Sequence, residues 1–157
     1  MFNMKGEVIG IVSFILTPSG GFDGMGFAMS SNTAKELLLE QKSPWSGLSL
    51  QLITGDLAKA FNIPQSAGFM VQKVALKSPG QRLGLRAGKI PVLIAGEELL
   101  IGGDVILEVQ GIPIADDIEY LRKIRKLMQG LKKGDKLELK VLRDGAVVTL
   151  SSTDYIQ

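Results

Sequence analysis

Residues 45–53 read WSGLSLQLI, and their types and spacing suit one piece of chemistry, the capture of a peptide. Gly47 permits a turn that exposes backbone N–H groups, which is how a small anion such as a carboxylate is held. Leu48, Leu50 and Leu52 then alternate with Ser49, Gln51 and Ile53, and the polar–apolar alternation fails only at Ile53. Period two predicts a strand with one apolar face. A strand led in by such a turn can accept an extended chain as an extra strand and hold its terminal carboxylate.

Other chemistries find little to work with. The chain has no His and no Cys, which removes the commonest general base, the usual metal ligand and every Ser–His or Cys–His pair. Catalysis would need Lys or carboxylates alone, and no such constellation stands out. Gly20-Gly21-Phe22-Asp23-Gly24 reads as a hairpin loop rather than a phosphate cradle, since no Lys-Ser/Thr follows it and no helix opens on it. Asp116 and Asp117 suit helix capping better than a metal, so neither metal nor cofactor is expected. Arg122, Lys123, Arg125, Lys126, Lys132 and Lys133 read as a solvated face; alternatively, Arg125 or Lys126 meets acidic positions of a bound peptide. A net charge of +2 is too small to argue for nucleic acid or an anionic membrane surface. Apolar content of 45% and charged content of 22% are those of a folded globular protein. No run is apolar enough to span a bilayer, and the N-terminus does not read as a signal peptide.

The elements that must position the 45–53 stretch follow in order. Residues 8–16 are apolar and β-branched, predicting a strand that expects burial on both faces. Residues 17–24 predict a hairpin loop and 25–29 a second strand; two strands cannot bury each other, so the segment looks like a piece of a larger β domain. Thr33-Ala34-Lys35-Glu36 fits a capping box for a helix to about Lys42, and Pro44 ends it. After the central strand, Thr54 opens a short helix through Phe61, and 68–74 is a strand. Ser78-Pro79 caps another short helix ending at Gly84. Residues 85–103 are apolar with five Gly or Pro breaks after Arg86, a stretch long enough to contain a small hairpin. Strand 104–110 follows. Asp116 with Glu119 opens a helix whose Ile118, Leu121, Ile124, Leu127 and Met128 recur at helical spacing. Arg143-Asp144-Gly145 then joins strands 136–142 and 146–151.

This order of elements resembles a circularly permuted PDZ domain of the bacterial HtrA/Deg serine protease family. Ser78-Pro79 through Leu85-Arg86-Ala87-Gly88 is similar to that family's "SPA…AGLKAGD" segment, residues 103–114 to its "GDVILAINGKPV" segment, and Arg143-Asp144-Gly145 to its "RDG" hairpin. Residues 2–11 resemble the stretch just after the family's catalytic serine, and Gly26-Phe27-Ala28-Met29-Ser30 its "GFAIP" closing strand.

The resemblance implies an α+β, mainly β fold: a PDZ-like, partly open barrel or sandwich with capping helices, preceded by a β-hairpin and linker helix. It divides the chain into 1–42, a remnant of a trypsin-like protease domain, and 43–157, the PDZ domain. The family's "GNSGGP" motif would lie just upstream of Met1, so this chain is expected to have no peptidase activity. Trp45, Ser46, Gly47 and Leu48 stand where the family has its carboxylate-binding loop. Leu48, Ser49 and Leu50 are expected to line the groove, with Leu121, Ile124, Arg125 and Met128 opposite; without the resemblance these apolar residues serve equally well as plain core. The implied partners are C-terminal peptides of unfolded or regulatory proteins, with no nucleic acid, and the implied compartment is the periplasm. An alternative is an assembly or autoregulatory module, with strand 8–16 pairing with a second copy. Two departures stand out. Ser46 replaces a usually apolar residue, and 89–102 is an insertion that could cover the groove, bind a neighbouring protomer or do neither.

Overall fold

The computed structural model describes residues 1–15, 26–36, 45–94 and 96–154. The chain divides into two compact units, Met1–Ser43 and Pro44–Gln157.

In the first unit β1 (Gly10–Ile15) pairs antiparallel with β2 (Gly26–Ser30), and α1 (Ser31–Lys35) follows. The cap of α1 is Ser30, not Thr33: the end of β2 leaves Ser30 extended, and its hydroxyl accepts the N–H of Thr33. The predicted 17–24 loop and the helix beyond residue 36 lie outside the described residues. The expected burial of the first strand is not met. Ile11 and Val12 are exposed, as are Val8, Ile9, Phe27 and Met29, because two strands offer no second layer.

The second unit is built on an antiparallel sheet of order β10-β9-β7-β4-β3. The strands are β3 (Leu48–Thr54), β4 (Ala67–Val74), β7 (Val105–Val109), β9 (Leu137–Arg143) and β10 (Ala146–Ser152). A two-residue β8 (Ile112–Pro113), which the sequence did not predict, pairs with β7. The sheet is open, not closed into a barrel. Between these strands lie α2 (Gly55–Ala60), α3 (Pro79–Arg82) and α4 (Ile118–Gly130). The 85–103 stretch holds the predicted small hairpin, β5 (Ile90–Ile94) with β6 (Glu97–Ile101). Ser78 caps α3 with Pro79 at the first turn. Asp117, not Asp116, caps α4: its backbone is extended and its carboxylate accepts the Glu119 N–H. The β9–β10 turn is Asp144-Gly145, both at positive φ, as a two-residue hairpin requires.

Both faces of the sheet are buried, by two clusters. One gathers Val71, Ile106, Leu137 and Val141 with Leu83, the residue that follows α3, and Ile124 and Met128 of α4 pack against it. The other gathers Ile53, Met70, Val105 and Leu107 with Ala58 of α2 and Leu99 of β6. Each of the larger side chains among these contributes about 1.5–3 kcal/mol when fully buried.

Polar groups close the remaining gaps. The Gln65 amide nitrogen donates toward three carbonyls, those of Ala67 (2.7 Å), Leu107 (2.9 Å) and Ile114 (3.0 Å). Asp104, 1% exposed, takes Arg143 Nε on one oxygen and Arg143 Nη2 and the Arg86 N–H on the other, each at 2.8 Å. Arg143 Nη2 also donates to Gly84 O at 2.7 Å. The hydrogen bonds that Arg143 donates to Asp104, with the charges of Asp104 and Asp144, outweigh partial burial and push the Arg143 guanidinium above its ordinary pKa.

Candidate functional site

Strand β3 is the edge of its sheet. It pairs with β4 from Leu48 opposite Val74 to Thr54 opposite Ala67, and no described strand takes its other side. The row of N–H and C=O groups on that side is a template for an added strand. The predicted alternation is real but differently used. Leu48 and Leu52 pack against the cluster shared with α4. Leu50, on the same face, stays 39% exposed. Ile53, where the alternation fails, is buried because α2 and β6 cover the opposite face at that end. Ser49 is exposed and Gln51 half-buried.

The turn before β3 is built as Gly47 suggests. Gly47 sits at φ +69, and a Cβ there would lie 2.2 Å from Ser78 Cβ, so both conformation and space call for glycine. Its carbonyl accepts the Ala75 N–H at 2.8 Å, and Ser46 O accepts the Gly80 N–H at 3.0 Å. The loop is thereby bound to the ends of β4 and α3. No acceptor among the described residues takes the N–H of Ser46 or Gly47, whereas Leu48 N donates to Ser46 Oγ at 3.3 Å. Trp45 lies beside this turn and is 64% exposed.

Helix α4 carries its apolar residues on one stripe, yet none of its residues is fully buried. Ile124 and Met128 pack on the same core as Leu48 and Leu52. Leu121 is half-buried and outside that core group, as is the exposed Arg125. Among the described residues, Arg125 and Lys126 have no ion-pair partner; Arg122 bonds Glu119 at 2.8 Å, and Lys123 lies 5.2 Å from the Tyr120 ring centre. The structure therefore gathers Leu48, Ile124 and Met128 around one core, and leaves Leu50 and Leu121 apart from it.

Sequence reasoning missed two positioning groups. Asp104 and Arg143 join the start of β7 to the end of β9, and their signal was available: they fall in the "GDVIL"- and "RDG"-like segments, which this ion pair ties together. Gln72 is left out of the β3–β4 register, where Ser49 faces Lys73 and Leu50 faces Val71. Nothing in its local sequence announces the bulge.

An open antiparallel sheet, an edge strand with no described strand on its outer side, a glycine turn at its start and a half-covered helix beside the same core make up this site. The sequence profile of the PDZ domain matches residues 24–153, and the chain belongs to the PDZ domain family. The match begins inside the first compact unit. Curated relatives include proteins named probable periplasmic serine endoprotease DegP-like. The one from Ectopseudomonas mendocina (strain ymp) is 35% identical, over 98% of this chain and 30% of its own length. The one from Marinomonas sp. (strain MWYL1) is 33% identical over the same shares. The chain thus spans about 30% of the length of these relatives. A solved structure described as HtrA-type protease AlgW with decapeptide is 28% identical at a TM-score of 0.49, covering 93% of this chain and 41% of that one. This chain, without histidine, carries no Ser–His–Asp triad.

Proposed function

We propose that residues 43–157 bind free C-termini with an apolar last residue, taking the bound chain as a strand along the outer edge of β3. The observation that carries this reading is the unpaired edge of β3 with Leu50 exposed upon it. In this reading the terminal carboxylate sits on the N–H groups of Ser46, Gly47 and Leu48 beside Trp45, the Ser46 hydroxyl releasing Leu48 N. The last side chain enters between Leu48 and the Ile124–Met128 stripe, with Leu50 further along the groove, Ser49 beside it on the strand's other face, and Leu121 and Arg125 at its helical rim. Methionine suits a pocket that accepts several side chains. Affinity is micromolar, about −8 kcal/mol, since a short peptide gains a handful of hydrogen bonds.

In a longer protein like the relatives, such a reader would present unfolded or misplaced polypeptide to a protease domain, or set that domain's activity. Residues 1–42 would then be the closing strands and linker of that domain, and the compartment the periplasm.

Trp45 is the only tryptophan and reports on the loop. Titrating the chain with one apolar-ended peptide, as free acid and as amide, should give a saturable fluorescence change with the acid alone. An equal response to both would replace the carboxylate reader with a groove for internal segments. Silence to both would remove the peptide reading.

The exposure of Val8, Ile9, Ile11 and Val12 favours a second, compatible reading, in which residues 8–16 pair with a second copy. A monomer by light scattering at high concentration would exclude it.

A further inference from the structure

A cleft of about 340 Å³ opens between the outer face of β3–β4 and the β5–β6 hairpin, on the face of the sheet away from α4. The hairpin that forms its far wall is firmly seated. Gln72, the residue left out of the β3–β4 register, turns its amide to β6 and pairs with both backbone groups of Leu100. Its Oε1 accepts the Leu100 N–H at 2.6 Å, and its Nε2 donates to Leu100 O at 3.2 Å. Leu99 is buried beneath, and Gly88 leaves room for the Leu100 carbonyl, which a Cβ there would meet at 2.1 Å. The cleft wall is therefore a fixed part of the domain.

The cleft presents four polar side chains: the Ser49 hydroxyl, the Gln51 amide, the Lys73 ammonium and the Glu98 carboxylate. None of these groups has a hydrogen-bond or ion-pair partner among the described residues. Two of them, Ser49 and Gln51, stand on β3 itself. A chain added to β3 places alternate side chains on alternate faces. Those opposite Ser49 and Gln51 come within about 5 Å, Cβ to Cβ. With the carboxylate at the Gly47 turn and the last side chain against Leu48, the cleft receives the next-to-last and fourth-from-last side chains. A charged side chain of either sign meets one like and one opposite charge there, at Lys73 and Glu98, so its charge gains little while losing its hydration. A neutral side chain that both donates and accepts finds partners on both walls.

We propose that this cleft is a second side-chain subsite, in which the inserted hairpin selects an uncharged hydrogen-bonding residue (Gln, Asn, Ser or Thr) at those two positions of the bound C-terminus. The inference rests on the proposed peptide reading and gives residues 89–102 a role in specificity.

Calorimetric titration of the full chain with four free-acid peptides tests it, the peptides differing only at the fourth-from-last position: Gln, Leu, Glu or Lys. The Gln peptide should bind the unmodified chain about fivefold more tightly than the Leu peptide, the size of a net hydrogen bond or two. Gln51→Ala should cut that preference below about twofold while leaving the Leu peptide's affinity unchanged. Glu98→Ala should raise the Glu peptide alone, by about fivefold, since only Lys73 would then face it. Equal affinities for all four peptides, or a Gln preference that survives both substitutions, would overturn the subsite and leave the groove standing. Failure of every peptide to bind would overturn the groove and the subsite together.

Discussion

Strands β7 and β3 are chemically alike and structurally opposite. β7 reads VILEV and β3 reads LSLQLIT, both rich in branched apolar residues. In β7, Val105, Ile106, Leu107 and Val109 are all buried; in β3 only Ile53 is. The difference is position in the sheet. β7 lies between β4 and β9, with a core on each face. β3 has β4 on one side, and the apolar residues beside its core on α4 are at most half-buried. Similar composition thus serves stability in the middle of the sheet and, in the proposed function, recognition at its edge.

Substitutions that strike one region and spare the other test this division. The largest effect is expected at the root of β7. Asp104→Asn leaves the guanidinium of Arg143, still charged at any ordinary pH, without its buried counter-charge and with only the exposed Asp144 carboxylate nearby, and should cost on the order of 3 kcal/mol of stability. Urea unfolding would read this as a lower midpoint at unchanged slope; a shift under about 1 kcal/mol would mean the pair is not a support of the middle strands. At the edge the pattern should invert. Leu50→Arg should lower peptide affinity at least about tenfold, roughly 1.4 kcal/mol, while changing stability by no more than about 0.5 kcal/mol. Binding that survives this substitution would move the groove elsewhere. The smallest effect is expected at the helical rim. Arg125→Glu should slow association with acidic peptides at low salt and change affinity less than about threefold near physiological ionic strength. A salt-independent loss would mean that Arg125 sits inside the groove.

Much of this division was legible in the sequence, because alternation and turn residues act locally. The alternation of 48–52, the Ser78-Pro79 cap and the Asp144-Gly145 turn all read true. Helix starts slipped by one and three residues for a shared reason. Ser30 and Thr33, like Asp116 and Asp117, are interchangeable caps by side chain, and the choice falls to whichever backbone is left extended. The hairpin at 90–101 was foreseen, but not its seat. IPVLI is apolar throughout and names no face, and the face is set by Gln72, whose displacement arises from pairing between strands. Of the groove residues, Leu48, Ile124 and Met128 converge on one core, while Leu121 and Leu50 show how little periodicity says about what lies opposite a residue.

The amide of Gln65 bears on the order in which the chain can assemble. Two of its three carbonyl partners, on Leu107 and Ile114, lie 42 and 49 residues further along. Ala67 O is its one local partner, and the amide is fully engaged only once β7 has docked and Ile114 has folded back onto Leu107. The start of β4, β7 and the β8 turn then form one cooperative unit, whose amides exchange with solvent in a shared opening event.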